Sequence, residues 1–198
     1  MPALELTPRE RIMAALAQTI ALDGYANARV QEVAKDAHVS LRTFYGEFDG
    51  KEEAFLAMND WLLESLWRSV RDAVDFAGTP WQTAMRDGFT VYVGAISARP
   101  KLTAAVTSEL MTISAEGRAA RDRWRERFAD LMIELVERGR AANPKVPARS
   151  LTRLHAHAML GAMLELVASQ VVDGDQASVD AVIDTGTDML WSIVTNAG

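Results

Sequence analysis

In the stretch HVSLRTFYGEFDGKEEAF, residues 38–55, Arg42 and Thr43 come two and three positions after Ser40. An arginine fork can donate two hydrogen bonds to the edge of a guanine, and a threonine can meet a thymine methyl or a phosphate. Tyr45 and Lys51 fall where phosphates would run past, and the free amides opening a helix near Lys51 add a weak anion site. The chemistry on offer is contact with a nucleic-acid duplex. No nucleophile–base spacing, glycine-rich phosphate loop or acidic metal cluster recommends bond-making chemistry, so no catalytic residue, metal or cofactor is expected. His155 and His157, two apart on one helix, project about 200° from each other and do not share an ion.

Such side chains need a helix to present them. Ser40 can cap one that turns Phe44 and Phe48 inward. A shorter stripe of Val30, Val33, Ala34 and Ala37 precedes it. Ahead of both, Thr7-Pro8-Arg9-Glu10 combines a capping threonine, a proline at the first helical position and a glutamate placed to reach back, so a helix starts there. Ile12, Ala15, Leu16, Ile20 and Leu22 form its apolar set, and Gly24 stops it. Two short helices joined by a tight turn, the second polar at its start, outline a helix-turn-helix with Leu41, Arg42 and Thr43 entering the major groove.

The rest of the chain also reads as helix. Asp49-Gly50-Lys51-Glu52 has the pattern of a capping box, and Phe55, Met58, Leu62, Leu66, Val70 and Val74 recur at three- and four-residue steps until Gly78. That predicts one helix of about 27 residues, roughly 40 Å long. Thr79-Pro80 repeats the cap-plus-proline device before a helix that Arg99-Pro100 ends. A shorter element, 102–111, follows. Helices over 118–140, 151–172 and 179–194 complete an all-α chain with no convincing alternating β pattern.

Residues 9–55 resemble the DNA-binding domain of the tetracycline-repressor-like (TetR) family of transcriptional regulators. The matching residues are Arg11-Ile12, Ala15, Asp23-Gly24-Tyr25, Val30, Val33-Ala34, Ala37, Val39-Ser40, Thr43-Phe44-Tyr45, Phe48, Lys51-Glu52 and Phe55. The family usually has glycine where this chain has His38, and a phosphate-contacting histidine where it has Glu47. The resemblance implies a helix-turn-helix DNA-binding domain at 1–50 and a helical ligand-binding and dimerisation domain at 51–198. It implies a homodimer on a pseudo-palindromic DNA operator, most simply a repressor released by a hydrophobic or aromatic small-molecule effector. The DNA-contacting set is then Arg29, Ser40, Leu41, Arg42, Thr43, Tyr45 and Lys51.

Composition sets the surroundings. The chain has 198 residues, 49% hydrophobic and 24% charged, with a formal net charge of −6, values of an ordinary soluble protein. Cysteine is absent, which fits a reducing compartment. The charged N-terminus does not read as a secretion signal, and His155, His157 and Glu165 interrupt the most apolar helix, so a cytoplasmic protein without a membrane span is expected. Four bases and four acids balance between residues 29 and 51, so affinity for DNA has to come from placement.

Trp81, Met85, Phe89, Tyr92, Met111, Trp124, Phe128 and Met159 lie at core spacing. Under the resemblance they enclose the effector cavity, with Tyr92 and His155 as its polar groups. The run Arg118, Arg121, Arg123, Arg125 and Arg127 is interleaved with acids and reads as a solvated face. Ala158, Gly161 and Ala162 allow close helix approach. With Val179, Val182, Ile183, Leu190 and Ile193 they form the expected dimer interface. The alternative is a helical small-molecule-binding protein of the same fold that does not bind an operator.

Overall fold

A computed structural model describes residues 6–170 and 175–195. Nine α-helices and no strand occur among these residues. Residues 1–5, part of the N-terminal stretch read above, and Val171 and Val172 of the expected eighth helix lie outside them.

The chain divides into two compact units. The first holds α1 (Pro8–Asp23), α2 (Val30–Asp36), α3 (Leu41–Glu47), the beginning of α4 (Lys51–Ala73) and α6 (Pro100–Thr112). The capping signals act as the sequence indicates: Thr7 accepts from the amide of Glu10 while Glu10 accepts from that of Thr7, and Pro8 occupies the first turn. Ile12, Leu16 and Ile20 of α1 meet Val33, Ala34, Phe44, Phe48, Phe55 and Met58 in one core. The stretch expected as a separate domain at 1–50 lies inside this unit, but the unit runs on to Leu63 and takes in 99–121. The reason is apolar burial: α6 adds Leu102, Ala105 and Leu110 to the same core, and Lys101 donates to the carbonyl of Leu22 at the end of α1.

The remainder of α4, α5 (Trp81–Ser97), most of α7 (Ala115–Ala142), α8 (Arg153–Gln170) and α9 (Gln176–Thr195) make the second unit. Here several expected boundaries move. α4 stops at Ala73, where Asp75 accepts from the amide of Ala77 and turns the chain before Gly78 is reached. At its other end Glu53, not Glu52, reaches back, accepting from the amide of Asp49 at 2.6 Å. Pro80 itself takes the cap position of α5, and Thr79 contributes no cap. α6 begins on Pro100, two residues earlier than expected. Within α4 the buried stripe passes through Trp67 (3% exposed) while Leu66 stays half-buried.

The turn between α2 and α3 is the tightest point. His38 has φ 54°, in the left-handed region. Its amide donates to the carbonyl of Lys35 at 3.0 Å, and the amide of Val39 donates to the carbonyl of Ala34 at 2.9 Å. That pair of bonds is the Schellman ending of a helix, which usually takes glycine at this position. A histidine tolerates positive φ better than most side chains but still pays for its Cβ. His38→Gly is therefore expected to stabilise the protein by about 0.5–1 kcal/mol, and His38→Val to destabilise it by at least about 1 kcal/mol, read from urea midpoints.

Candidate nucleic-acid interface and effector cavity

The exposed face of the first unit is set by where its aromatic anchors point. Phe44 and Phe48 are at most 2% exposed, with ring centroids 5.9 Å apart. With those two inward, α3 turns Leu41, Arg42 and Tyr45 outward. Leu41 and Tyr45 are large apolar groups left 43% and 55% exposed, flanking the Arg42 position. Ser40 accepts from the amide of Thr43 at 3.0 Å, and the two hydroxyls lie 2.8 Å apart. This pins the first turn of α3. Arg29 is exposed at the N-cap of α2.

Two basic residues tie the unit together. Lys51 donates to the carbonyl of Tyr25 at 3.0 Å and sits 4.3 Å over the Tyr25 ring. An ammonium keeps further N–H groups for an outside acceptor. Arg9, absent from the residues singled out above, donates to the carbonyl of Glu47 at 2.6 Å and lies 4.1 Å over the Phe48 ring. A cation on the last carbonyls of a helix satisfies the groups that the helix leaves unpaired. Arg9 also stands 3.9 Å from the Glu47 carboxylate, so that carboxylate faces a cation. The capping motif at residues 7–10 gave no hint of this role, because it depends on a contact 38 residues away.

In the second unit a small apolar cavity is lined by Trp67, Val70, Val74, Met85, Gly88, Phe89, Tyr92, Phe128, Leu131, Met132, Leu135 and Leu190. Met85, Phe89, Tyr92 and Phe128 are thus brought together. The cavity is about 20 Å³, room for about one water. Its centre is aromatic: Trp67 stacks on Tyr92 with centroids 6.2 Å apart, and Phe128 tilts against both at 5.7 and 5.6 Å. Trp67 was missed by the sequence reading although 63, 67, 70 and 74 follow helical spacing as well as the stripe chosen.

Five expected cavity residues do not line it. Trp81 meets Trp191 edge-on and packs where a Cβ on Gly139 would overlap its indole. Met111 belongs to the first unit and is 48% exposed. His155 pairs with Thr152 at the start of α8. Trp124 and Met159 are buried elsewhere in the second unit.

The expected interface also changes. Val179, Val182, Ile183 and Leu190 are buried within their own unit, where α9 packs on α5 and α8. Asp184 and Asp188 bind Arg86 and Gln82 of α5. Ala158 and Gly161 are exposed, and Ala162 and Ile193 half-buried. Among the arginines of α7, Arg127 pairs with Glu64. Glu134 binds Arg71 through both oxygens and lies 3.8 Å from Arg138.

Residues 12–58 match the family model described as "Bacterial regulatory proteins, tetR family". That stretch carries the DNA-binding signature of tetR-family regulators. The HTH-type transcriptional regulator EthR of Mycolicibacterium smegmatis is 26% identical over 162 residues, covering 78% of this chain and 74% of EthR. The fatty acid degradation regulator FadR of Bacillus halodurans has the same fold, with a TM-score of 0.74 at 20% identity over 95% of this chain and 96% of that one. FadR of Bacillus subtilis, solved in complex with stearoyl-CoA, gives 0.71 at 17% identity over 92% and 97%. The family match falls on α1–α3 and the start of α4, the elements that position Arg42 and Lys51.

Removing Arg9 leaves α3 without its C-terminal partner, so Arg9→Ala is expected to cost about 1–2 kcal/mol in chemical denaturation. Burial, with Glu52 and Glu109 adding to it, raises the Tyr25 phenol to about 12 from 10.0. The folded state therefore holds this proton more tightly, and the stabilisation is present below pH 10 and lost as pH rises through about 12. Tyr25→Phe is expected to blunt the loss of stability over that window, followed by circular dichroism.

Proposed function

We propose that this chain is a dimeric repressor of the tetR family that binds a pseudo-palindromic operator through α3 and lets go when a small apolar effector enters its second unit. The observation that carries the reading is the outward row Leu41, Arg42 and Tyr45 on a helix whose other face is locked by Phe44 and Phe48. Arg42 reads a base edge, Thr43 and Tyr45 flank it, and Arg29, Ser40 and Lys51 meet phosphates. The Arg9 contact with Glu47 weakens the case for the same fold without operator binding, since that carboxylate has a partner of its own.

Dimerisation rests on α8 and α9. Ala158, Gly161 and Ala162 leave a smooth face on α8, and Ala181, Thr185 and Ser192 leave a second on α9. At the ends of these faces Leu154, 80% exposed, and the half-buried Met189 and Ile193 supply apolar surface for a partner helix to cover. Two copies pairing these faces form a four-helix bundle and bring two copies of α3 onto one duplex.

The effector acts through the cavity. A ligand site is usually 300–1,000 Å³, far more than the space beside Trp67 as it stands, so binding requires the rings to part. A ligand that binds only the parted form shifts the population toward it, and the shift is limited by its preference between the forms. Because α4 carries both Lys51 and Trp67, its displacement changes the spacing of the α3 pair from the roughly 34 Å of one DNA turn.

Gel shifts on the upstream intergenic DNA and on genome-selected fragments, over a range of salt, test the reading. Arg42→Ala is expected to lose about 1–3 kcal/mol on the preferred sequence and little on random DNA, whereas Lys51→Ala weakens both alike. The absence of any sequence-specific shift would falsify the regulator assignment.

A further inference from the structure

The aromatic cavity carries more chemistry than its apolar lining shows. Trp67 and Tyr92 are 3% and 4% exposed, and their polar atoms, the indole Nε1 and the phenol oxygen, have no hydrogen-bond partner in the protein. Both residues line the cavity, and their rings stack on each other. A buried donor without an acceptor costs more than the same group paired or absent, which makes each a standing demand for a partner. Burial also holds the Tyr92 phenol far above its ordinary pKa, so it keeps its proton to donate.

The other ten lining residues are Val70, Val74, Met85, Gly88 and further apolar side chains, none of them cationic. An anion drawn among them would shed its water with no charge to replace it. A carbonyl or ether oxygen, by contrast, sheds little and accepts what the two donors offer.

Resting on the effector-cavity reading above, we infer that the effector is an uncharged, largely apolar molecule with one hydrogen-bond acceptor, an ester, ketone or amide oxygen, received by Trp67 Nε1–H and the Tyr92 hydroxyl. The class differs from that of the stearoyl-CoA held by the Bacillus subtilis structure, whose phosphates have no counterpart among the lining residues. The two donors select for the acceptor, and the absence of cations selects against charge. The ring stack must open to admit the molecule, so the bond to the acceptor forms only in the opened state and adds to the ligand's preference for it.

The test uses the full chain and four probes: methyl 6-phenylhexanoate, its free carboxylate 6-phenylhexanoate, the hydrocarbon hexylbenzene, and lauroyl-CoA. Affinities are read from tryptophan emission in the protein and in Tyr92→Phe and Trp67→Phe. The ester is expected to bind about tenfold or more tighter than the carboxylate. Its advantage relative to hexylbenzene is expected to shrink about 3- to 10-fold in each variant, the size of one lost hydrogen bond. Thermal unfolding without probe should not fall in Tyr92→Phe, because the hydroxyl has no partner to lose; a clear fall would mean it serves the fold instead and would overturn its assignment. The inference is also overturned if the carboxylate or lauroyl-CoA binds as tightly as the ester, if the ester-to-hydrocarbon ratio is the same in all three proteins, or if no probe binds. Each of those failures leaves operator binding in gel shifts untouched, so the regulator reading stands or falls separately.

Discussion

A helix of seven residues does not hold itself together in water. α3 is that short, and the first unit is organised around supplying what it lacks. Ser40 closes its first turn, Phe44 and Phe48 sink its inner face, and Arg9 takes up the carbonyl at its end. Each support comes from a different place: the residue before the helix, the core made with α1 and α4, and the first turn of α1. The outer face is thereby freed from any structural duty.

Elements announced by local chemistry were legible in the sequence. The cap and proline at Thr7-Pro8, the cap at Ser40 and the stop at Gly24 all act within four residues, and the structure uses them as read. Errors arose where two local signals competed or where a distant contact decided. The capping box read at Asp49–Glu52 is shifted by one residue, with Glu53 rather than Glu52 accepting from the amide of Asp49. The end of α4 was set by Asp75, a turn former that the apolar stripe concealed.

Side chains of the larger unit were harder to place because helical periodicity says which residues face inward, not which inward space they face. Trp81, Trp124 and Met159 are buried as their spacing implies, yet they do not meet the cavity that Met85, Phe89, Tyr92 and Phe128 share. For α9 the same ambiguity took another form. Its apolar face was legible, but whether a neighbouring helix or a second chain covers it was not, and α5 covers it here. Met111 shows the third case, an apolar residue left at the surface, which composition alone gives no reason to doubt.

The division of labour on α3 has a consequence for how such a protein changes over generations. Arg42 and Tyr45 touch solvent, whereas the supports of the helix lie on its other side or at its ends. Substitutions on the outer row therefore leave the core nearly untouched, and its surface chemistry can change one residue at a time without first acquiring spare stability. The helix is held by residues of its inner face and its ends, which leaves the outer row free to vary without loss of the fold.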